Sequence, residues 1–170
     1  MSGVIVNTER LVIREAEAER DAAFIFELFN TPKFIKYIGD RKMDTPDAAS
    51  RFISEHYQRS YRDNGFGLWC VETNAECIGV CGFVKRDVLD LPDLGFAFLP
   101  EAEGKGYAYE AAAAVLEHGR TVLKLTDILA ITTPDNEASQ KLLRKLGFER
   151  DVDPMLMPDG SQVALFRLTL

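Results

Sequence analysis

The chain has 170 residues, 46% apolar and 28% charged, and a formal net charge of −7. A chain this long makes one domain and buries about 70% of its unfolded surface, so it is neither disordered nor fibrous and needs no disulfide or metal staple. The acidic balance argues against a nucleic-acid partner, which calls for a basic face, and the longest uncharged apolar run, Cys77 to Val84, is far short of the roughly 20 residues of a membrane span.

In chain order, Val4 to Arg14 alternates around Leu11 and Ile13 and predicts one strand. Ala22, Ile25, Phe26 and Phe29 follow helical spacing, and Pro32 is expected to end that helix. A short aromatic stretch, Phe34 to Ile38, stops at Gly39-Asp40. Thr45-Pro46 then opens a helix with Ala49, Phe52, Ile53 and Tyr57 on its apolar face, closed by Asn64-Gly65. Phe66 to Thr73 and Glu76 to Lys85 read as a hairpin about Asn74-Ala75. Leu94 to Leu99 is a strand stopped by Pro100. Tyr107 to Leu123 is the most regular amphipathic helix, Ile128 to Thr132 a strand, and Pro134 to Leu146 a helix closed by Gly147. Phe148 to Met157 and Gln162 to Leu170 predict a last hairpin about Pro158-Asp159-Gly160. The order implies a single α/β domain over 1–170, a mixed and mostly antiparallel sheet of about seven strands flanked by helices.

The three cysteines, Cys70, Cys77 and Cys81, have no paired spacing, and Met1 to Arg10 does not look like an export signal. Reduced thiols in a cytoplasmic protein are therefore expected. Together with His56 and His118 they match no zinc spacing, so no metal is expected. Cys77 and Cys81 fall on one strand face and read as packing residues rather than acyl carriers. His56 lies beside Phe52 on an apolar helix face and reads as a core or groove histidine. Trp69, Phe34 and Tyr37 read as core.

Two stretches carry chemistry. From Leu94 a strand runs through Pro100 into a loop with Gly104 and Gly106, and the loop runs directly into a helix. The amides of Gly104, Lys105, Gly106, Tyr107 and Ala108 are then orphan donors at a positive helix end, a natural seat for phosphate oxygens; the plainer alternative is a glycine-bearing connection. Neither a Walker loop nor a three-glycine dinucleotide fingerprint is present. In the second stretch Asn136 and Ser139 lie three apart near a helix start and are expected to share a face. Asn136 as a helix cap and Ser139 as an ordinary first-turn serine remain open.

Thr8-Glu-Arg-Leu-Val-Ile-Arg14, Ile78-Gly-Val-Cys-Gly-Phe83, Gly104-Lys-Gly-Tyr-Ala-Tyr-Glu-Ala111 and Asn136-Glu-Ala-Ser with Lys145-Leu-Gly-Phe148 resemble, in order and element type, the GNAT superfamily of acetyl-CoA-dependent N-acetyltransferases. More narrowly they resemble its RimJ/RimL-type branch of ribosomal-protein N-terminal acetyltransferases, from about residue 8 to the end. The resemblance implies a sheet splayed at the cofactor strand, where Phe96, Ala97, Phe98 and Leu99 meet the pantetheine arm of acetyl-CoA. It implies that the amides of 104–108 hold the pyrophosphate, that Asn136 holds the cofactor, and that Ser139 protonates the departing sulfur. Three positions depart from the pattern. Glu101 stands where Gln or Arg is frequent, Glu103 where the branch often has Trp, and Leu143 where many members place a Tyr acid.

Transfer to an amine requires a neutral nucleophile, and Asp93 and Glu72 are the candidate bases, each otherwise a solvated acid at a strand end. An α-amine, with a reference pKa of about 7.7–8.0, needs less help than a lysine amine at about 10.4. The expected acceptor is a protein or peptide N-terminus. A small amine (polyamine, amino acid or aminoglycoside) is the second reading, and a non-catalytic acyl-CoA-binding module the third. The 34–44 segment lies where the family places one acceptor wall. The expected assembly is a monomer or homodimer.

Overall fold

The computed structural model describes residues 3–170. The N-terminal alternating stretch folds as two strands, β1 (Val4–Asn7) and β2 (Val12–Arg14), where one was expected. Thr8 explains the break. Its N–H donates to Leu11 O at 2.9 Å and its hydroxyl accepts from Leu11 N at 3.0 Å, so one side chain gives the reversing backbone its local partner.

Pro32 ends α1 (Ala22–Phe29), and it also opens α2 (Pro32–Tyr37) at the first helical position, which makes the aromatic stretch helical. Thr45 caps α3 (Pro46–Phe52), accepting from Ala48 N at 3.1 Å. The single helix expected to run to Asn64 is interrupted by a π segment (Ile53–Gln58) before resuming as α4 (Arg59–Asn64) and ending at left-handed Gly65. The buried residues of this run, Ala49, Ile53 and Tyr57, recur every fourth position. At 3.6 residues per turn such a stripe drifts off the core, and one widened turn brings it back.

β3 (Leu68–Thr73) and β4 (Glu76–Val84) form the expected hairpin, with Asn74 and Ala75 both at positive φ, as a tight two-residue turn requires. β5 (Asp93–Phe98) leads through a 3₁₀ turn at Pro100–Ala102 to α5 (Tyr107–Thr121), and β6 (Asp127–Thr132) to α6 (Glu137–Lys145). The last strand pattern splits into β7 (Glu149–Arg150) and β8 (Met155–Leu156), both pairing with β9 (Gln162–Thr169). Pro154 stands between the two fragments, where a residue with no N–H cannot carry a ladder onward. The sheet order is β1-β2-β3-β4-β5-β6-β9-β7, antiparallel except at β5–β6. The two split stretches account for nine strands against the expected seven.

α5 lays Ala111, Ala112 and Val115 on one sheet face against Trp69, Cys81 and Phe83, while α1 and α3 cover the other face around Cys70 and Val80. Under α1 sits Arg14, 2% exposed, holding Asp21 with both terminal guanidinium nitrogens at 2.7 and 2.8 Å and Glu72 through Nε at 2.9 Å. Burial opposes the Asp21 charge, but hydrogen bonds from Arg14 and the Glu17 amide prevail and hold its carboxyl below the usual range. Asp21, Cys70 and Cys77 bring one carboxylate and two thiols within 4.8 Å of one another, and the Arg14 guanidinium, 3.2 Å from Cys77 Sγ, already fills the cation's place. Among the described residues no helix is long and apolar enough to cross a membrane.

Candidate active site

β4 pairs with β5 from Val84–Asp93 to Gly79–Phe98, but β6 meets β5 only at Asp93–Leu129. The expected splay is present. Leu99 N donates to Ile78 O on the β4 side, and Leu129 N reaches Pro92 O on the β6 side. Backbone groups alternate along a strand, so those of Phe96 and Phe98 turn into the open wedge. Around the wedge lies a cleft of about 1300 Å³, larger than the roughly 300–1,000 Å³ of a single small-ligand site.

The glycine loop forms one end of this cleft. Gly104 and Gly106 both take left-handed φ (77° and 82°), and a Cβ at Gly104 would meet nothing within 4 Å. Gly106 is the N-cap of α5 and supplies no side-chain cap, so the first amides of the helix keep their donors for a ligand. Gly104, Gly106, Tyr107 and Ala108 line the cleft, as do Phe96, Ala97 and Phe98; Leu99 and Lys105 do not. The Lys105 carbonyl instead accepts from Arg10 at 2.8 Å. Arg10 also bonds Glu110 at 2.7 Å and lies 4.5 Å over the Tyr107 ring, bracing the loop from the protein side. Of the two departing acids, Glu101 is exposed and outside the cleft. Glu103 lines it and is paired with Lys33 at 2.6 Å.

Asn136 does not share a helical face with Ser139. It caps α6, its Oδ1 accepting from Ser139 N at 3.2 Å. The two side chains are nevertheless neighbours in the cleft wall, both half-buried. Leu143, fully buried, offers no proton.

The candidate bases part company. Glu72 does not line the cleft; Arg14 and Arg20 both bind it, at 2.9 and 3.0 Å, inside the ion cluster under α1. Asp93 lines the cleft at 1% exposure. Leu94, Phe96 and Phe98 pack with the α5 core and Ala97 with the α3 core, so alternation turns the Asp93 carboxyl toward α3. Burial raises its pKa to about 6, against the opposing pull of Arg86, whose Nε lies 3.0 Å away.

The remaining candidates follow their surroundings. Cys70 and Cys81 are fully buried free thiols, and both are pushed well up, Cys70 by its hydrogen bond with Cys77 and by burial, Cys81 by burial alone. Neither lines the cleft. His118 stands edge-on to Trp69, 5.6 Å between centroids, with its pKa lowered by burial. His56 is exposed at the cleft, its ring tilted by 34° against Phe52 with 4.3 Å between centroids. Lys33 and Arg86 have no sequence signal, and Arg10 and Arg14, although inside the Thr8–Arg14 stretch, have roles that depend on partners the chain brings together only on folding.

The donor implied by the resemblance fits these features. An unpaired strand edge suits an extended amide-bearing arm, and the open space at Gly104 beside free helix amides suits a diphosphate. Comparison with known proteins agrees. The family described as acetyltransferase (GNAT) domain matches residues 10–149. The uncharacterized N-acetyltransferase YoaA of Bacillus subtilis (strain 168) is 30% identical over 150 residues, 86% of this chain and 84% of that one. Spermidine N(1)-acetyltransferase of Escherichia coli (strain K12) is 28% identical over 137 residues, 80% of this chain and 71% of that one. Among solved structures, RimL, a ribosomal L7/L12 alpha-N-protein acetyltransferase in complex with coenzyme A, has the same fold at a TM-score of 0.83 and 15% identity, covering 98% of each chain.

Proposed function

The chain belongs to the GNAT acetyltransferase family, with acetyl-CoA as its donor, and on that premise we propose that its acceptor is the N-terminal α-amine of a protein or peptide, acetylated directly in a ternary complex. The observation that carries this reading is Asp93, a buried carboxyl facing the cleft with a pKa of about 6. Taking a proton from an α-amine at about 8 is uphill by about 2 pKa units, or roughly 3 kcal/mol; from a lysine-type amine at about 10.4 it is uphill by about 6 kcal/mol. Asp93 matches the first task.

When bound, acetyl-CoA supplies an acetyl group already activated as a thioester. In this reading the Phe96 and Phe98 backbones hold its extended arm and the amides of Gly104, Gly106, Tyr107 and Ala108 its diphosphate, while the Asn136 side chain keeps the arm against α6. Asp93 accepts the amine proton, directly or through one water, and releases it to solvent, while the Ser139 hydroxyl hydrogen-bonds the departing sulfur and relays to it a proton that water restores to the serine oxygen, so the thiol leaves neutral. The chain works as one domain over 1–170, in the cytoplasm.

A small-molecule acceptor is the second reading, favoured by the spermidine N(1)-acetyltransferase relative. In the cleft Asp63, Asp93 and Glu103 pair with Arg59, Arg86 and Lys33, while Glu55, Asp87, Asp135 and Glu137 also line it; the peptide reading is preferred on the match between Asp93 and an α-amine.

Thiol release from acetyl-CoA, measured across free N-terminal peptides, N-terminally blocked lysine peptides, spermidine and aminoglycosides, tests the proposal. The free peptides give the highest kcat/KM; a higher value for spermidine or an aminoglycoside overturns it. On the best acceptor, Ser139→Ala lowers kcat by about 10- to 1000-fold, since positioning remains and water substitutes in part. It leaves the acetyl-CoA KM near that of the parent. Asn136→Ala instead raises that KM and lowers stability by about 1 kcal/mol through the lost cap. Parent turnover in Ser139→Ala removes the proton-donor role.

A further inference from the structure

Glu103 is a puzzle in a donor site. It directly precedes Gly104, and its side chain lines the same cleft as Gly104, Gly106 and Ala108. A carboxylate there repels the diphosphate that the loop amides are arranged to hold. The answer comes from 70 residues away in sequence. Lys33, in the first turn of α2, places Nζ 2.6 Å from Glu103 Oε2 and lines the same cleft.

The pair is not there for stability. Its side chains are 61% and 41% exposed, and pairs that exposed contribute little to folding. Its position is what distinguishes it. The other cleft cations of the described residues with a recorded partner are engaged elsewhere. Arg59 pairs with Asp63, Arg86 with Asp93, and Lys145 lies over the Tyr109 ring. Lys33 alone among the recorded pairs is joined to the acid of the glycine loop. A lysine ammonium has three donors; Glu103 uses one, leaving two beside the loop.

We propose that Lys33 is a donor-binding residue, which cancels the Glu103 charge and presents its remaining donors to the diphosphate of coenzyme A, so that α2 takes part in the phosphate site from across the cleft. Glu103 in turn keeps the lysine at the loop when no phosphate is there. Binding is then set by a balance of two opposite charges, and each can be removed alone.

Calorimetric titration with coenzyme A, and with pantetheine as a probe that lacks the diphosphate, reads that balance without turnover. Lys33→Ala, which leaves Glu103 uncompensated, raises the Kd for coenzyme A about 10-fold, and the loss shrinks as salt rises. Glu103→Gln lowers the Kd about threefold by releasing the lysine to the phosphates, and the Lys33→Ala/Glu103→Gln double variant returns to within about threefold of the parent. Lys33→Arg stays near the parent value. Pantetheine binds all of these variants alike. Parent-like coenzyme A binding by Lys33→Ala overturns the proposal. So does an equal loss for pantetheine, which would make α2 a wall of the cleft and not a phosphate contact. Both side chains are exposed, so circular dichroism and melting temperature stay at parent values throughout.

Discussion

Asp93→Asn is expected to lower kcat by about 10²- to 10⁴-fold, the range that a positioned general base contributes. It is also expected to remove the inflection at about pH 6 from the acid limb of the kcat/KM–pH profile, leaving the titration of the amine itself at about pH 8. In the parent that limb rises through about pH 6, because the carboxylate must be unprotonated to take the amine proton and burial holds its pKa there. The asparagine keeps the shape and has no charge to titrate. Stability moves with the opposite sign. The folded pKa lies above the ordinary value of 3.8, so the native state retains a proton that the unfolded chain has released. That stabilisation is fully present below pH 3.8 and is lost as the pH rises through about 6. At pH 8 the parent therefore carries a buried charge whose cost Arg86 only partly offsets, and Asp93→Asn removes it. The expected result is an inactive variant that melts no lower than the parent at pH 8. Parent-like turnover with that inflection intact would place the base elsewhere; a loss of kcat together with a collapse in melting temperature would make Asp93 a structural anion.

Gly106→Val carries the second large effect. Gly106 sits at φ 82°, and an added Cβ would lie 3.3 Å from the Arg10 guanidinium that braces the loop. A β-branched residue in that conformation costs on the order of 1–3 kcal/mol, and its methyl groups crowd the amides that open α5. The Kd for coenzyme A is expected to rise at least about 100-fold, roughly the 3 kcal/mol that two charge-assisted hydrogen bonds supply. Gly104→Ala is the control. It meets only backbone strain at φ 77°, with no atom within 4 Å of the new Cβ, so its Kd rises much less. The measurement is calorimetry on variants whose circular dichroism shows the native fold, and a folded Gly106→Val that binds as the parent does would remove the amide seat from the donor site.

Local chemistry in the sequence was sufficient wherever a segment's fate depends on its own residues. The small apolar stripe of α5, the Asn74-Ala75 turn, the Thr45-Pro46 helix start and the glycine loop between a strand and a helix were all legible, because periodicity, capping and φ preference act over a few residues. The same holds for the cleft wall at Asn136 and Ser139, although the asparagine proved to be a cap. Elsewhere the tertiary structure decided. Val4 to Arg14 has the alternation of one strand and becomes two because Thr8 supplies a turn. The run after Thr45 has the pattern of one helix and takes a π segment because a core contact at every fourth residue must stay in register with the sheet. Asp93 and Glu72 are both acids at strand ends, and nothing local tells them apart. Packing gives Glu72 two arginines under α1, and gives Asp93 a nearly dry place in the cleft with one. Lys33 and Glu103, and Arg10 and Glu110, are 70 and 100 residues apart in sequence. Charges have no periodicity that announces a distant partner, so which of them meet is settled only when the sheet and its helices close.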